Sequence, residues 1–377
     1  MIKKNLKICI LLIIILFSYN NIVYANTLPD ISSDSAIVIE QKTGRILYSK
    51  NIDEKRPMAS TTKIMTAIVA IENGDMGDVV KISKKASGIG GSSIWLEENE
   101  KLTLEELLYG LMLRSGNDAA YAIGEHIGNG EIQNFIDMMN KKAKELNALY
   151  TSFANPHGLD HDEHYTTAHD LAKISAFGMG NDLFKTIVST KKKTISWSSS
   201  EWNRSLNNKN KMLWNYEGGN GIKTGYTSKA GKCLVSSAIQ NDMQLISVVL
   251  HSNDIWSDSK TILDYVFNTY RPFSIVKKDE YIKSIQVING TKEIISTYSV
   301  DNIVIPLSEG EEGSVKVQLS IPDNIEAPIQ KEQLIGNLDV FVGDEKIDST
   351  EIYVKESIAE RAPNTMLKKF IRYWMDI

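Results

Sequence analysis

Three short motifs follow one another along this chain, and together they contain the side chains that acyl transfer requires. They are Ser60-Thr61-Thr62-Lys63, Ser115-Gly116-Asn117 and Lys223-Thr224-Gly225. The set supplies a serine nucleophile, a lysine base, a second hydroxyl, an amide and a cation that can anchor a carboxylate. These residues predict an enzyme that attacks a peptide bond beside a free carboxyl terminus.

Each motif is a weak signal when it is taken alone, because similar short patterns recur along the chain. Ser-x-x-Lys also starts at three other serines, which are Ser189, Ser257 and Ser274. A second Lys-Thr-Gly starts at Lys42, between two apolar stretches, and that context predicts a hairpin turn. Only the copy at Ser60 opens a long apolar helix, at residues 64–71. Order and context therefore favour a functional set.

The first motif predicts a base beside a nucleophile on one helix face. Ser60 lies at the predicted helix start, and Lys63 follows three residues later, a spacing that brings side chains together. A serine hydroxyl is a poor nucleophile until a base removes its proton, so Lys63 must be partly neutral. Burial and a second cation lower a lysine pKa, and Lys223 is the candidate cation. The helix N-terminus also favours negative charge at the reacting centre.

The second motif follows a helix with a well-marked start. Thr103 is predicted to cap this helix, and Glu106 completes a capping box ahead of an apolar run that extends to residue 113. Ser115-Gly116-Asn117 is therefore predicted to form a turn into the next helix. We expect Gly116 to allow the tight bend in that turn.

Ser115 and Asn117 supply the chemistry expected of this turn. Ser115 is expected to pass a proton to the leaving amine. Asn117 has both donor and acceptor atoms, so we expect it to hold a substrate amide and to orient Lys63. The alternative interpretation is an ordinary helix N-cap, because Ser, Asn and the following Asp118 all favour that position.

The third motif lies in a Gly-, Thr- and Tyr-containing segment, residues 221–227, that predicts a strand at the edge of a cleft. Another backbone is expected to approach closely at Gly225. Lys223 and Thr224 are expected to bind a terminal carboxylate by charge and hydroxyl. The backbone amides of Ser60 and Tyr226 are the candidate oxyanion hole. The alternative is an ordinary hairpin strand with an exposed lysine.

The chain resembles the low-molecular-mass penicillin-binding proteins that act as serine-type D-Ala-D-Ala carboxypeptidases, and the resemblance runs over nearly its whole length. Four stretches carry it, namely Gly91-Ser92-Ser93, Ser115-Gly116-Asn117-Asp118-Ala119-Ala120, Asn155-Pro156-His157-Gly158-Leu159 and Lys223-Thr224-Gly225-Tyr226-Thr227 with Ala230-Gly231. The three-motif set is shared with class A β-lactamases. The resemblance implies an α+β penicillin-binding/β-lactamase-like catalytic domain, with an antiparallel sheet and helices, followed by a small all-β domain.

The resemblance also implies the roles of the site residues. Ser60 would be the acylated nucleophile and Lys63 its base, Ser115 and Asn117 would serve proton relay and substrate grip, and Lys223 would hold the substrate carboxylate. The implied substrate is the peptidoglycan stem peptide ending in D-Ala-D-Ala, with β-lactam antibiotics as covalent inhibitors and no cofactor. One departure is Gly219-Asn220-Gly221, because relatives often carry an acidic residue ahead of the lysine motif.

The N-terminus and composition predict an exported protein. Three lysines precede an apolar run at residues 8–17, and a small-residue cleavage site follows, so residues 1–25 are predicted to be a signal peptide. The alternative is an uncleaved anchor. Cleavage would leave Cys233 as the only cysteine, which excludes an intrachain disulfide. The net charge of −5 argues against nucleic-acid partners.

The mature chain is predicted to contain three further parts. Residues 26–272 would be the catalytic domain, and residues 275–360, which are rich in alternating strand patterns, would be a β-domain that positions it. Residues 363–377 predict a short cationic amphipathic helix with Trp374 at its boundary, suited to a membrane interface. The expected location is the outer face of the cytoplasmic membrane or the cell wall space, with peripheral attachment. A helix docked on its own domain is the alternative.

Other functions compete with the carboxypeptidase prediction. A class A-like β-lactamase would need a glutamate in a Glu-x-x-Leu-Asn stretch, but Ala143 precedes Leu146-Asn147 here. A penicillin sensor would acylate and stay acylated, and it should be joined to transmembrane helices. A wall-associated structural protein would not be expected to keep all three motifs. A zinc site is suggested by four histidines within thirteen residues, but helix breakers between them argue against it; they are His157, His161, His164 and His169.

Overall fold

The fold is described from a computed structural model that covers residues 28–197, 200–362 and 371–375. The predicted signal peptide at residues 1–25 lies outside the described residues, and so does most of the predicted C-terminal helix. Within the described part of the chain, none of the helices combines the length and apolar composition needed to cross a membrane.

A five-stranded antiparallel sheet forms the centre of the N-terminal part. Its strands are β1 (Ser35–Glu40), β2 (Ile46–Lys50), β7 (Gly219–Thr227), β8 (Gly231–Gln240) and β9 (Met243–Ser252). Their spatial order is β2-β1-β9-β8-β7, which puts β7 at one edge. The predicted hairpin turn at Lys42 is confirmed, because it joins β1 to β2. Strand β1 is entirely buried, and so are the central residues of β8 and most of β9, as expected of a sheet covered by helices on both faces.

Helices surround this sheet and provide most of the apolar core. They are α1 (Lys63–Asn73), α2 (Lys84–Ser87), α3 (Leu104–Arg114), α4 (Asn117–Ile127), α5 (Ile132–Glu145), α6 (Ala168–Met179), α7 (Asp182–Ser189), α8 (Met212–Asn215) and α9 (Ile255–Thr269). The first eight residues of α1 are all buried. Its apolar run therefore lies inside the helical part rather than at its surface, and this fixes the residues at its N-terminus. Two short two-stranded ribbons complete this part, and they pair β3 (Val79–Lys81) with β4 (Lys101–Thr103) and β5 (Lys192–Ile195) with β6 (Arg204–Asn207).

The C-terminal part is built from strands, as predicted. They are β10 (Tyr270–Val276), β11 (Tyr281–Ile288), β12 (Ile294–Ser299), β13 (Ile303–Ser308), β14 (Val315–Ser320), β15 (Asn324–Glu326), β16 (Leu334–Val342) and β17 (Glu345–Val354). Six of them form a sheet in the order β14-β16-β17-β12-β11-β15, and β10 pairs with β13. Buried aliphatic side chains from both sheets, including Val276, Ile305 and Val340, pack in one core.

Two sequence features look different in three dimensions. Asn289-Gly290 resembles a two-residue hairpin turn, but the connection from β11 to β12 spans residues 289–293, and Gly290 pairs with Glu360 in an isolated bridge. The connection is longer than the two-residue turn for which Asn-Gly is typical, and it pairs with Glu360 instead of closing tightly. The boundary predicted near residues 270–272 falls where α9 passes directly into β10. The exact domain limits stay predictions.

Candidate active site

Ser60 lies in a 3-10 turn, Ala59–Thr62, that leads directly into α1. Lys63 is the first residue of α1, and its Nζ atom lies 3.0 Å from Ser60 Oγ. The three-residue spacing therefore brings the amine to the hydroxyl, as the sequence predicts. Because Lys63 is fully buried, its amine is held away from solvent and faces only its protein partners.

The Lys63 amine has three hydrogen-bonding neighbours. Besides Ser60 Oγ, it donates to Asn117 Oδ1 at 2.7 Å and to the His157 carbonyl oxygen at 2.5 Å. An ammonium group has three donors and can satisfy all three oxygens. A neutral amine would donate to the two carbonyl oxygens and keep its lone pair for the serine proton. The geometry thus suits a base that cycles between both forms.

Burial and neighbouring charge favour the neutral form of this amine. Burial is the larger cause that lowers the pKa of Lys63 well below its usual value, and the charge of Lys223 adds to it. Lys209 acts in the same direction, whereas the carboxylate of Asp118 opposes it. The pKa of Lys223 is itself lowered to about 7, first by burial and then by Lys209. The charge of Lys223 thus lowers the pKa of Lys63, as the sequence predicts.

The turn between α3 and α4 holds Ser115 in a left-handed conformation. The predicted capping box of Thr103 and Glu106 is present at the start of α3. Ser115 has φ 66°, whereas Gly116 has φ −57°. Gly116 is therefore not the residue that makes the bend. Its lack of a side chain matters for another reason, because a Cβ there would lie 2.7 Å from a carboxylate oxygen of Asp118.

A non-glycine residue held at positive φ costs on the order of 1–3 kcal/mol and is typical of functional sites. Ser115 is also 5% exposed, so the residue is buried within the turn that precedes Asn117 rather than lying on the surface. The strain and the burial support a functional interpretation of this residue over that of an ordinary capping serine.

Asn117 is held from both its backbone and its side chain. Its amide nitrogen donates to Ser92 O at 2.7 Å, and its Nδ2 atom donates to Gly90 O at 2.7 Å. The side-chain oxygen is left to accept from Lys63, which fixes the orientation of the amide. Gly91 is required for this contact, because a Cβ there would lie 2.6 Å from Asn117 Nδ2.

Asp118 organises the segment that holds Asn117, although the sequence interpretation gave it only a capping role. Its buried carboxylate accepts hydrogen bonds from the Ser93 hydroxyl at 2.5 Å and from the backbone amides of Ile94 and Leu96, each at 3.1 Å. Charge-assisted bonds of this kind are about twice as strong as neutral ones. The helix that carries Asn117 and the segment that Asn117 contacts are therefore fixed to each other.

The third motif lies on the edge strand β7, as predicted. Lys223 is 2% exposed, and its Nζ atom donates to Thr224 O at 2.8 Å. A Cβ on Gly225 would lie 3.0 Å from the Ser60 amide nitrogen, so β7 passes close to the nucleophile. Tyr226 follows with 67% of its side chain exposed at the cleft. The structure thus brings the three motifs together around Ser60.

Asn220, where relatives often carry an acidic residue, is engaged away from Lys223. Its Nδ2 atom donates to Gln244 Oε1 at 2.8 Å, and its Oδ1 atom accepts from the Ser237 hydroxyl at 2.7 Å. These contacts tie β7 to its neighbours in the sheet. Asn220 therefore supports the strand rather than pairing with the lysine of the motif.

The segment around His157 supports the nucleophile turn, and sequence reasoning assigned it no part in the site. A Cβ on Gly158, which has φ +89°, would lie 1.9 Å from Ala59 O, so only glycine fits there. His164 Nδ1 accepts from the Ala154 amide, which leaves its Nε2 proton to be donated to Thr62 Oγ1 at 2.7 Å.

Burial is the main cause that lowers the pKa of His164 to about 4 and that of His157 to about 3. Both rings are thus neutral at physiological pH. His164 uses both of its ring nitrogens in hydrogen bonds within the protein, so in this arrangement it offers no lone pair to a metal. In the described part of the chain, no group of three or more metal-binding side chains is found.

The architecture and the three converging motifs are those of a penicillin-binding enzyme. Residues 22–254 match the D-alanyl-D-alanine carboxypeptidase family, and residues 270–360 match the C-terminal domain of penicillin-binding protein 5. The chain therefore belongs to the D-alanyl-D-alanine carboxypeptidase family. The predicted fold, a helix-and-sheet catalytic part followed by an all-β domain, is confirmed.

Individual relatives cover most of the chain. The D-alanyl-D-alanine carboxypeptidase DacF of Bacillus subtilis is 34% identical, over 90% of this chain and 89% of its own length. DacA of Escherichia coli K12 is 30% identical, over 88% and 85%. The crystal structure of penicillin binding protein 5 from Haemophilus influenzae matches with a TM-score of 0.74 and 30% identity, over 89% of this chain and 99% of that one. A Streptomyces K15 DD-transpeptidase mutant matches 64% of this chain and 99% of its own, with a TM-score of 0.61 and 35% identity.

Proposed function

We propose that this chain removes the terminal D-alanine from peptidoglycan stem pentapeptides through an acyl-enzyme on Ser60. Membership of the D-alanyl-D-alanine carboxypeptidase family supports the activity. The observation that carries the residue roles is the Lys63 amine, which lies 3.0 Å from Ser60 Oγ and between two fixed carbonyl oxygens. A buried amine in that position is a base for one particular hydroxyl.

In the first half of the reaction, Lys63 takes the Ser60 proton and Oγ attacks the carbonyl between the two D-alanines. The negative charge that develops on the carbonyl oxygen is stabilised by the backbone amides of Ser60 and Tyr226, the proposed oxyanion hole. The N-terminus of the 3-10 turn and α1 adds a favourable field at the same position. Lys223 and Thr224 bind the carboxylate of the terminal D-alanine, which positions the bond for attack.

In the second half, the C–N bond breaks and the D-alanine nitrogen takes a proton by way of the Ser115 hydroxyl. Ser115 is suited to this relay because it is buried and held rigidly by its backbone conformation. Water then gives a proton to Lys63 and attacks the ester carbonyl, the ester bond breaks, the shortened peptide leaves as a carboxylic acid, and the proton held by Lys63 passes to Ser60 Oγ. Asn117 holds the substrate amide and the Lys63 amine throughout. No cofactor takes part in these steps.

The environment of Ser60 favours this activity over that of a β-lactamase. Class A β-lactamases use a glutamate and a held water to hydrolyse the penicilloyl ester. Here the corresponding sequence position is Ala143, which is buried in α5, and the third oxygen around Lys63 is the His157 carbonyl. Within the described residues, no carboxylate hydrogen bonds to Ser60 or Lys63. We therefore expect penicillin to acylate Ser60 quickly and to leave slowly, over minutes or longer.

A parallel time course tests this proposal. The mature protein is mixed with a peptide ending in D-Ala-D-Ala in one vessel and with benzylpenicillin in another, and D-alanine release and penicillin hydrolysis are followed together. The proposal predicts steady D-alanine release and roughly one penicillin bound per enzyme. Rapid turnover of penicillin without D-alanine release would establish a β-lactamase. Stable acylation with no peptide turnover would establish a sensor.

We also propose export and membrane attachment for this enzyme. The first 25 residues support export, because they have the sequence pattern of a signal peptide. At the other end, residues 371–375 are helical, and both Trp374 and Met375 are more than 70% exposed. Exposed apolar side chains beside the cationic residues of this segment suit adsorption to an anionic membrane surface. The enzyme would then act at the outer face of the cytoplasmic membrane.

A further inference from the structure

Trp95 is an exposed indole at the edge of the active site. Its side chain is 74% exposed, although burying a tryptophan is normally favourable. The residue before it, Ile94, lies against the Ser115-Gly116-Asn117 turn, because a Cβ on Gly116 would lie 3.3 Å from Ile94 Cγ2. Three residues before Trp95, Ser92 O accepts the Asn117 amide. The backbone of Trp95 thus belongs to the same segment that holds the candidate catalytic amide.

The backbone of Trp95 is held in an unfavourable conformation. Its φ is 64°, which is an outlier for a bulky residue. Its amide donates to Ser93 Oγ at 2.8 Å, and its carbonyl accepts from Arg204 at 2.7 Å. Arg204 is itself buried in a two-pronged pair with the buried Glu100. A clamp of this kind stabilises the position of the tryptophan, which is unexpected for a side chain with only a surface role.

The arginine of this clamp also contacts the neighbouring indole. The Arg204 guanidinium lies 4.5 Å from the ring centroid of Trp197, and Trp197 Nε1 lies 3.4 Å from a carboxylate oxygen of Glu97. In contrast, none of the cation–π pairs found among the described residues includes Trp95. The face of the Trp95 ring is therefore available to a ligand that enters the cleft.

The charges around the cleft differ between its two sides. Lys223 and Lys209 provide positive charge on the side of β7, where the substrate carboxylate is proposed to bind. On the side of Trp95, Glu97 and Glu98 are exposed, and the charge of Arg204, which contacts the Trp95 carbonyl, is paired with the buried carboxylate of Glu100. An aromatic face beside carboxylates attracts an alkylammonium group, through cation–π attraction and charge. It repels the carboxylate end of a peptide.

The distance from the active site to Trp95 matches the position of one substrate residue, the one that precedes the two D-alanines. Trp95 lies three residues from Ser92, so its backbone is at most about 10 Å along the chain from the contact with Asn117. In the substrate, the residue that precedes the two D-alanines is the direct neighbour of the D-alanine whose carbonyl is attacked. Its side chain therefore leaves the peptide backbone one residue, or about 3.5 Å, from that D-alanine. A long aliphatic side chain at that position can reach the indole, whereas more distant parts of the substrate start several residues further away.

We propose that Trp95 and Glu97 form an outer subsite for the ammonium-bearing aliphatic side chain of the residue that precedes the two D-alanines. This inference rests on the proposed carboxypeptidase function and names the substrate class that the site prefers, which is stem peptides with a free side-chain amine at that position. The aliphatic part of the side chain contacts the indole face, and the ammonium group lies between the ring and the carboxylate.

Two peptides that differ by one acetyl group, which removes the charge of the side-chain amine, test the subsite. They are Nα-acetyl-Lys-D-Ala-D-Ala and its Nα,Nε-diacetyl form, with kcat/KM measured from D-alanine release. The wild-type enzyme is expected to prefer the free amine by about two- to tenfold. Trp95→Ala should remove this preference, with a large loss for the free amine and a smaller loss for the diacetyl peptide, which makes only the aliphatic contact. Glu97→Gln should reduce the preference, most clearly at low salt. Trp214→Ala, which removes an exposed indole elsewhere in the chain, should keep the preference.

The outcomes separate this inference from the function on which it rests. Penicillin labelling of each variant confirms that the site is folded. If the wild type releases D-alanine equally from both peptides, or if Trp95→Ala keeps the preference, the subsite is refuted while the carboxypeptidase stands. If Trp95→Ala lowers kcat/KM equally for both peptides, the indole contacts an uncharged part of the substrate, and the proposed subsite is also refuted. No D-alanine release from either peptide would refute the proposed function itself.

Discussion

The absence of a side chain on Gly225 lets strand β7 pass within van der Waals distance of Ser60. A Cβ at Gly225 would lie 3.0 Å from the Ser60 amide nitrogen and 3.1 Å from that of Thr61. The Ser60 amide is one of the two proposed oxyanion donors, so the space above it must stay open for the substrate carbonyl. The glycine therefore links the third motif to the first by sterics as well as by charge.

Gly225→Ala should slow acylation without unfolding the protein. Gly225 is not among the glycines at positive φ, so alanine is compatible with its backbone conformation. The added methyl group would press on the nucleophile turn and displace the oxyanion donor. We expect the rate of penicillin acylation to fall by about tenfold or more, since losing one donor typically costs about a hundred- to a thousandfold. Acylation time courses quenched at intervals measure the rate, and thermal melting measures the stability of the fold.

Gly313→Ala is the matched control for this substitution. Gly313 also lacks a positive φ, and a Cβ there would meet nothing within 4 Å. This variant should acylate at the wild-type rate. Equal acylation rates for Gly225→Ala and the wild type would show that β7 does not constrain the Ser60 amide.

His164 should make the protein less stable in mild acid. Its folded pKa of about 4 lies below the ordinary value of 6.5, so the unfolded chain binds more protons between these two values. Stability is therefore complete above about pH 6.5 and is lost as the pH falls toward 4. Because the ring is 3% exposed, the loss can reach about 3 kcal/mol in the free energy of unfolding. Urea unfolding at pH 7.5 and at pH 4.5 measures it.

Two variants isolate the contribution of this ring. His164→Gln should be less stable at pH 7.5, because it disturbs the bond to Thr62, but it should lose less stability between the two pH values than the wild type does. His161→Gln, at an exposed histidine nearby, should change the pH dependence much less, because the charge of His161 is a smaller cause of the lowered pKa of His164 than burial is. An unchanged pH dependence in His164→Gln would contradict the neutral, proton-donating state assigned to His164.

The C-terminal segment should determine membrane binding but not catalysis. A mature chain that ends at Arg361 should hydrolyse small soluble peptides at the full rate, because the site lies in the preceding residues. It should lose binding to anionic vesicles, since the cationic and apolar residues of the helix are then absent. Co-sedimentation with vesicles at low salt measures binding, because salt screens the attraction. Equal binding by both forms would place the attachment elsewhere.

The sequence predicts the elements of the site better than its internal arrangement. The spacing of Ser60 and Lys63 and the capping box at Thr103 depend on helix geometry between neighbouring residues, and the structure has both. The edge position of Gly225 follows from its strand context, and it is present as well. These features are local, so short patterns are enough to predict them.

The parts of the site that sequence reasoning missed depend on distant contacts. The bond from Lys63 to the His157 carbonyl joins residues 94 positions apart, and it uses a backbone atom that no residue type reveals. His164 reaches Thr62 across 102 positions. The bend expected at Gly116 lies at Ser115 instead, because the surrounding contacts, rather than intrinsic preference, hold that residue in a left-handed conformation.

The most direct test of the account is the site at which penicillin and substrate become attached. The mature protein is acylated with penicillin, digested, and the modified peptide is identified by mass spectrometry, with a D-Ala-D-Ala peptide present as a competitor. An acyl-enzyme on Ser60 should give one penicilloyl group on that residue, slower labelling with the competitor, and no labelling of a folded Ser60→Ala variant. Lys63→Ala should label about a hundred- to ten-thousandfold more slowly. Modification at Ser189, Ser257 or Ser274, or labelling that survives in Ser60→Ala, would contradict the account.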